Sequence, residues 1–372
     1  MNSSLTRWLG QSWRPILLVA AVYLYFLIFS QFGFLHRVSD VVGGDSQDVV
    51  LGIMGIAGIL GALISGIRYR AERIRIFLGS GFVGSAASAW AVEESHSLMA
   101  FAVAAAVSGF SLGALTVVVV GFLHDFCSKA RIGLLCGLGT GLAYFVSNLP
   151  FVFNASPANH CRVAAVVSLG GLAVLALSPL ATMMQPLETS PEKSRARGWA
   201  LAPFVVVFLV LIWMDSAAFS QIQETPDLKA ASWSGEGNLW CIGVTHGLAA
   251  VVAGVLLDRG RFRWVVGLAF LGLGAGYLLL GAHEFGLLPS LVYAAAVSFY
   301  STALVAFALT ERTGFRVTVA VGLVYGVSGW LGSAMGIGMA QHLGRVPVSS
   351  WMIAAVLLFP ILVVSRLRKA AR

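Results

Sequence analysis

Charged residues are scarce in this sequence, at only 11% of its 372 residues. A soluble globular domain carries about 25% charged residues, so the composition excludes an ordinary soluble protein. Hydrophobic residues instead make up 58% of the chain, and the mean hydropathy is +0.87. Together these values predict a protein that lies within a membrane.

Patterns that bind metals or cofactors are also missing. The four cysteines are scattered, with no CxxC pair and no metal-ligand spacing, so we expect them to be packing residues. The sequence has no nucleotide-binding loop and no convergent group of catalytic side chains, and we therefore expect no cofactor and no enzymatic activity. Met335, Met339 and His342 share a helix face that could bind copper, but ordinary packing is the alternative and we predict no metal site.

Long apolar runs, in contrast, are abundant. Each has about 17 to 27 residues, enough to cross a hydrocarbon layer of about 30 Å as an α-helix. The loops between the runs are short and leave no room for a soluble domain. The twelve predicted spans are 15–34, 49–67, 76–92, 97–123, 132–153, 163–184, 200–222, 238–257, 264–282, 286–309, 317–341 and 349–365.

Lysine and arginine alternate between rich and poor loops along these spans. The poor side holds only Arg37, Arg162, Lys229 and Arg345 of the 24 basic residues. Because Lys and Arg accumulate in cytoplasmic loops, we expect both termini in the cytoplasm and the protein in the plasma membrane, here a bacterial inner membrane. Topology and anionic inner-leaflet lipid then explain the net charge of +8, so we expect no nucleic-acid partner. We also expect the protein to be a monomer in the lipid membrane.

Short motifs and basic loops recur at equivalent positions in the two halves of the chain. The segment FSQF at 29–32 ends the first span and FSQI at 219–222 ends the seventh, while basic loops at 66–75 and 254–263 follow the second and eighth spans. We predict an all-α polytopic membrane protein with twelve transmembrane helices in two pseudo-symmetric six-helix bundles, an architecture typical of transporters. The predicted domains are an N-terminal bundle at 1–184, a cytoplasmic linker at 185–199 and a C-terminal bundle at 200–372.

The loop after the eighth span resembles the signature loop of the major facilitator superfamily. In that signature a glycine is followed by an Asp-Arg pair and a basic cluster. The resemblance implies the twelve-helix fold and a role in conformational change for Gly254, Asp258, Arg259 and Arg261. Plain accumulation of positive charge on the cytoplasmic side is the alternative. The residues that carry the resemblance are Gly254, Leu256, Asp258, Arg259, Arg261 and Arg263.

Asp215 is the one acidic or basic residue that lies well inside a predicted span. A charged side chain there costs roughly 2.5 to 3.5 kcal/mol on insertion scales, and such residues usually face a bundle interior or a wet cavity. We expect Asp215 to carry a proton or contact the substrate, and the alternative is a structural polar anchor. His246, near the middle of the eighth span, is a candidate partner for that proton, with a hydrogen-bonded core histidine as the alternative.

Aromatic and polar residues of other spans are candidates for lining a central cavity. A mostly apolar pocket with a few polar groups is typical of small-molecule sites. The alternative is that they form hydrogen bonds between helices. The candidates are Tyr23, Tyr25, Gln31, Tyr144, Asn148, Trp213, Ser298, Tyr300, Ser301 and Tyr325.

The sequence therefore favours a secondary active transporter that moves a small solute by alternating access, with proton coupling through Asp215. An assembly or scaffold protein that has kept the fold without transport is the alternative. Because the spans lack Lys and Arg, we expect a neutral, cationic or amphipathic solute in preference to a polyanion.

Overall fold

The computed structural model describes residues 3–43, 46–178, 201–280, 285–311 and 313–370. Helices and short connecting turns make up these residues, and the described part of the chain contains no strand. The predicted linker at 185–199 lies outside the described residues. The predicted domain boundaries at 184 and 200 therefore stay predictions.

Within the described residues each predicted span overlaps one long helix, and the helix in the span predicted at 132–153 ends at Ser147. Short helices at Pro150–Phe153 and Pro226–Ser232 and a 3-10 turn at Ala71–Arg73 lie in the connections. The helix α1 comprises Ser3–Tyr25, the π-helical segment Phe26–Gly33 and Phe34–Val42, and α11 comprises Val317–Leu323, the π-helical segment Val324–Leu331 and Gly332–Leu343. The others are α2 (Gln47–Arg68), α3 (Ile74–Glu94), α4 (Leu98–Phe126), α5 (Ile132–Ser147), α6 (Pro157–Ala176), α7 (Ala202–Glu224), α8 (Glu236–Asp258), α9 (Phe262–Leu280), α10 (Leu288–Thr310) and α12 (Val348–Ala370).

Nine helices of the described residues are long and apolar enough to cross a membrane. Two further apolar helices, Ile132–Ser147 and Val348–Leu362, are shorter. The remaining one, α3, has 21 residues and mixes glycine and serine into its apolar sequence. The chain is thus an integral, multi-pass membrane protein, because these helices satisfy their backbone hydrogen bonds internally, as a bilayer requires.

Helix packing within the first half recurs within the second. In the first half α1 packs against α5 and α6, α4 packs against α2 and α3, and α3 packs against α6. In the second half α7 packs against α11 and α12, α10 packs against α8 and α9, and α9 packs against α12. The two sets of pairs are related by a shift of six helices, as expected for a structural repeat.

Two close helix pairs, α5 with α8 and α2 with α11, join the halves. A shift of six helices exchanges these two pairs, so the interface has the same pseudo-twofold relation as the bundles. Glycine permits the close approach, because a Cβ atom on Gly137 would lie only 2.3 Å from the backbone oxygen of Ala250. Small residues at such crossings let helix backbones pack tightly in lipid.

Candidate functional site

Asp215 lies in α7 and accepts hydrogen bonds from two tyrosines of α10. The Tyr293 hydroxyl donates to Oδ1 at 2.5 Å, and the Tyr300 hydroxyl donates to Oδ2. The Tyr293 hydroxyl also lies 3.1 Å from the backbone oxygen of Asp215. Tyr293 and Tyr300 are two helical turns apart, at about 3.6 residues per turn, and therefore share a face of α10. The carboxylate is thus held between two hydroxyl donors on one neighbouring helix.

The carboxylate of Asp215 lacks a basic partner among the residues that the structure describes. The two ion pairs found there join His124 to Asp125 and Arg162 to Glu93. Asp215 remains partly exposed, whereas both tyrosines are buried. Hydroxyl donors stabilise a carboxylate but leave its charge uncompensated. Such a group inside a membrane bundle can take up a proton or attract a cation.

His246 lies in α8 and is only 4% exposed. Its Nδ1 is 2.8 Å from the Ser298 hydroxyl of α10, and its ring stacks on that of Tyr144 with centroids 4.6 Å apart. The hydrogen bonds of the described residues connect His246 and Asp215 each to α10, and none joins the two directly. The structure therefore does not bring His246 and Asp215 into direct hydrogen-bond contact.

Further polar contacts connect the first half to the second, two of them at α10 and one between α1 and α11. They involve hydroxyl groups only, so they are neutral hydrogen bonds. These contacts are Tyr144 Oη with Ser301 Oγ at 2.8 Å, Thr140 Oγ1 with Thr302 Oγ1 at 2.9 Å, and Tyr23 Oη with Tyr325 Oη at 2.6 Å.

Some of the other predicted lining residues make no side-chain hydrogen bond between the halves among the described residues. Tyr25 is fully buried and bonds to a serine of α3 at 3.1 Å, within the first half. Asn148 donates to the backbone oxygen of Tyr144 at 2.8 Å. Trp213 lies two residues before Asp215 and is partly buried. The side chain of Gln31 lies outside the described part of the structure.

This chain is similar to known proteins in its three-dimensional structure and not in its sequence. No protein-family model and no curated protein matches the sequence. Among solved structures, the MFS (major facilitator superfamily) proton:xylose symporter XylE bound to 6-bromo-6-deoxy-D-glucose matches with a TM-score of 0.67 and 12% identity, over 95% of this chain and 94% of that one. The human organic anion transporter MFSD10 (TETRAN) matches with a TM-score of 0.65 and 13% identity, over 96% of this chain and 98% of that one.

This is the major facilitator fold. The prediction of twelve transmembrane helices in two pseudo-symmetric six-helix bundles is thereby confirmed. At identities this low the likeness establishes the fold alone.

Asp258, the last residue of α8, connects the two halves. Asp258 accepts hydrogen bonds from the backbone N–H groups of Gly133 at 2.6 Å and Leu134 at 3.0 Å, at the start of α5. A carboxylate there satisfies unpaired N–H groups and interacts favourably with the positive end of the helix. The side chains of Arg259 and Arg261 are exposed.

Gly254 belongs to the same contact between α8 and α5. A Cβ atom added there would lie 2.3 Å from the backbone oxygen of Gly133, so any larger residue would push the two helices apart. Gly254 and Asp258 therefore both act on the contact between α8 and α5.

The equivalent contact at α2 and α11 uses different groups. Thr318 Oγ1 donates to the backbone oxygen of Gly66 at 3.0 Å, and Arg316 Nη2 donates to the backbone oxygen of Tyr69 at 3.2 Å. Here side chains at the start of α11 bind carbonyl groups at the end of α2. The two contacts between the halves therefore use different groups: a carboxylate that accepts from backbone N–H groups at α5 and α8, and side chains that donate to backbone carbonyl groups at α2 and α11.

Sequence reasoning missed two residues that make polar contacts at α10: Tyr293, which bonds to Asp215, and Thr140, which bonds to Thr302. Tyr293 precedes Tyr300 by seven residues and so lies on the same helix face, a spacing that could have identified it. No comparable signal marks Thr140, because its partner Thr302 lies 162 residues away in the chain.

Proposed function

We propose that this protein is a secondary transporter that moves a small solute across the membrane by alternating access of its two halves. The observation that carries the proposal is Asp215, a partly exposed carboxylate without a counter-charge among the described residues. It lies next to α10, which makes polar contacts with the opposite half. The major facilitator fold of the whole chain supports the same function.

Proton coupling through Asp215 follows from the cost of a charge within the membrane. When Asp215 takes up a proton from one side, the carboxylate becomes neutral and the barrier to reorientation of the halves falls. Loss of that proton to the other side restores the charge and resets the carrier. The tyrosine hydroxyls can donate to the ionised form and rotate to accept from the protonated form. XylE, described as a proton:xylose symporter, shows that this fold supports proton coupling.

The proposed solute is neutral, cationic or amphipathic. Aromatic rings and a single carboxylate suit a cation, which gains from both the charge and the ring faces. They equally suit a neutral solute when Asp215 is protonated. MFSD10 is described as an organic anion transporter, and an anionic solute would meet repulsion from an ionised Asp215.

The proposed setting is a plasma or bacterial inner membrane with both termini in the cytoplasm and the protein acting as a monomer. The Lys/Arg bias of the loops supports the orientation. A cleft between two halves of one chain is sufficient for alternating access, so a partner subunit is not required.

The test is the Asp215→Asn variant in proteoliposomes, assayed with a panel of small neutral and cationic solutes. We expect the variant to lose accumulation driven by a pH gradient while it keeps solute exchange, because asparagine preserves the shape but cannot titrate. Asp227→Asn, which removes an acid from the short helix after α7, is the matched control and should transport normally. Undiminished proton-driven uptake by Asp215→Asn would refute the coupling role.

A non-transporting assembly or scaffold protein is the second candidate. It is favoured by Arg70, which replaces the acid of the signature in the first half. Folded wild-type protein that neither accumulates nor exchanges any solute of the panel would support this candidate.

A further inference from the structure

A cleft of about 700 Å³ lies where the two halves meet at the Lys/Arg-rich ends of the helices. Its walls come from the end of α2, the turn that leads into α3 and the start of α11. Four arginines line it together with a single acidic residue, Glu72. The arginines are Arg68, Arg70, Arg73 and Arg316.

The charge of this cleft is unbalanced. All four arginine side chains are exposed, and none of them forms an ion pair within the described residues. Four like charges around one cleft repel one another unless an anion lies between them. Guanidinium groups are planar donors that bind phosphate oxygens in pairs, so the chemistry of the lining suits a phosphate group.

Two of the residues that line the cleft are held by hydrogen bonds. Tyr69 is 7% exposed and donates from its hydroxyl to Asp125 Oδ2 at 2.8 Å. Burial and the neighbouring Asp125 carboxylate raise the pKa of Tyr69 above its ordinary value, so the hydroxyl stays protonated and the bond persists. Arg316 is fixed by its hydrogen bond to the Tyr69 carbonyl. Positive groups of both halves therefore line one cleft, and Arg316 is the one held by a hydrogen bond among the described residues.

Exposed apolar side chains of α2 lie at and beside the cleft. Ile67 lines the cleft and is 63% exposed, and Ile64, one turn earlier on α2, is 45% exposed. A ligand that combines a phosphate with hydrocarbon chains would contact both the arginines and these side chains. A free phosphate ion would contact the arginines alone.

We propose that this cleft binds the headgroup of an anionic phospholipid of the adjacent leaflet, and that the bound headgroup ties the two halves together at this end. The headgroup phosphate neutralises arginines from α2, from the turn before α3 and from α11 at once. Anionic lipid thereby stabilises the arrangement in which the ends of α2 and α11 are joined.

The experiment uses the full-length protein in detergent, titrated with phosphatidylglycerol, with phosphatidylcholine or with inorganic phosphate. Binding is followed by native mass spectrometry and the melting temperature by thermal denaturation. The test variant is Arg70→Gln/Arg73→Gln. Neither side chain makes a hydrogen bond among the described residues, so we expect the variant to fold. The matched control is Lys129→Gln/Arg263→Gln, which removes the same amount of charge from other Lys/Arg-rich connections, outside the cleft.

We expect phosphatidylglycerol, and neither of the other two additives, to raise the melting temperature of the wild type. The test variant should bind phosphatidylglycerol about 30-fold more weakly, since each arginine near an anionic surface contributes about fivefold. The control should change its affinity much less. A second variant, Arg70→Lys/Arg73→Lys, keeps the charge but loses paired donation. Its affinity for phosphatidylglycerol should lie between that of the wild type and that of the test variant.

Equal weakening in the test variant and the control would overturn the proposal, since it would show a diffuse basic surface. Equal stabilisation by phosphatidylcholine would also overturn it. Stabilisation by inorganic phosphate as large as that by phosphatidylglycerol would overturn the assignment to lipid.

Discussion

Two tyrosine hydroxyls support the carboxylate of Asp215, and neither brings a charge with it. A hydrogen bond to a charged group contributes about 1.5 to 3 kcal/mol, roughly twice that of a neutral pair. The tyrosines therefore lower the cost of an ionised Asp215 while leaving the charge available to a proton or a cation. An arginine in the same place would form a permanent ion pair and prevent this exchange.

The first prediction concerns Tyr300. We expect Tyr300→Phe to lower the free energy of unfolding by about 1.5 to 3 kcal/mol when Asp215 is ionised, because a donor to a charge is lost. In an Asp215→Asn background the same substitution should cost about 0.5 to 1.5 kcal/mol. Denaturation of the two single variants and the double variant at alkaline pH measures the difference.

Tyr25→Phe is the matched control for this cycle, because Tyr25 is also buried but bonds to the neutral hydroxyl of Ser88. Its cost should be the same in both backgrounds. Equal costs for Tyr300→Phe in the two backgrounds would contradict an ionised Asp215 in the folded protein.

At the scale of helices, the contact between α5 and α8 depends on residues without side chains. Gly137 lies against the backbone of Ala250, and Gly254 lies against the backbone of Gly133. Asp258 then caps the start of α5 from the end of α8. Close backbone packing and the cap together define one rigid joint between the halves.

The second prediction compares two glycines in apolar helices. We expect Gly137→Ala to destabilise the protein by about 1 to 3 kcal/mol, because the new methyl group would overlap the backbone oxygen of Ala250. Gly170→Ala in α6 has open space around the new methyl group. That substitution should be neutral or should stabilise by up to about 1 kcal/mol through helix propensity. Thermal melting in detergent measures both, and a tolerated Gly137→Ala would disprove the tight joint.

At the scale of the whole molecule, the halves share one pattern of helix pairs but differ in detail. The carboxylate cap occurs at α5 and α8, while α2 and α11 are joined through Thr318 and Arg316. The π-helical segments occur in α1 and α11, and neither of the equivalent helices, α7 and α5, has one in its described range. Such segments often mark functional positions, so motion of the two halves need not be symmetric.

The third prediction concerns orientation in the membrane. We expect both termini in the cytoplasm, because the loops on their side hold most of the basic residues. A reporter active only outside the cytoplasm should give no signal when fused after Arg372, and should give signal when inserted within 226–232. The reverse pattern would invert the layout and place the arginine-lined cleft on the outer leaflet.

The sequence alone determined that the protein lies in a membrane, how many spans it has, how basic residues alternate between its loops, and that the spans divide into two halves. These features follow from local hydropathy and loop charge, which a bilayer converts directly into helix position. The lone carboxylate Asp215 was visible for the same reason, since any charge stands out in an apolar run.

The tertiary structure decided which groups meet. It placed Tyr293 and Tyr300 on Asp215, connected His246 to Ser298, and left Tyr25 within the first half. It also brought Arg316 to a cleft whose other arginines lie about 250 positions earlier, as its bond to Tyr69 across 247 positions shows. These contacts depend on helix rotation and crossing, which packing between helices sets and which the hydropathy of one helix leaves undetermined.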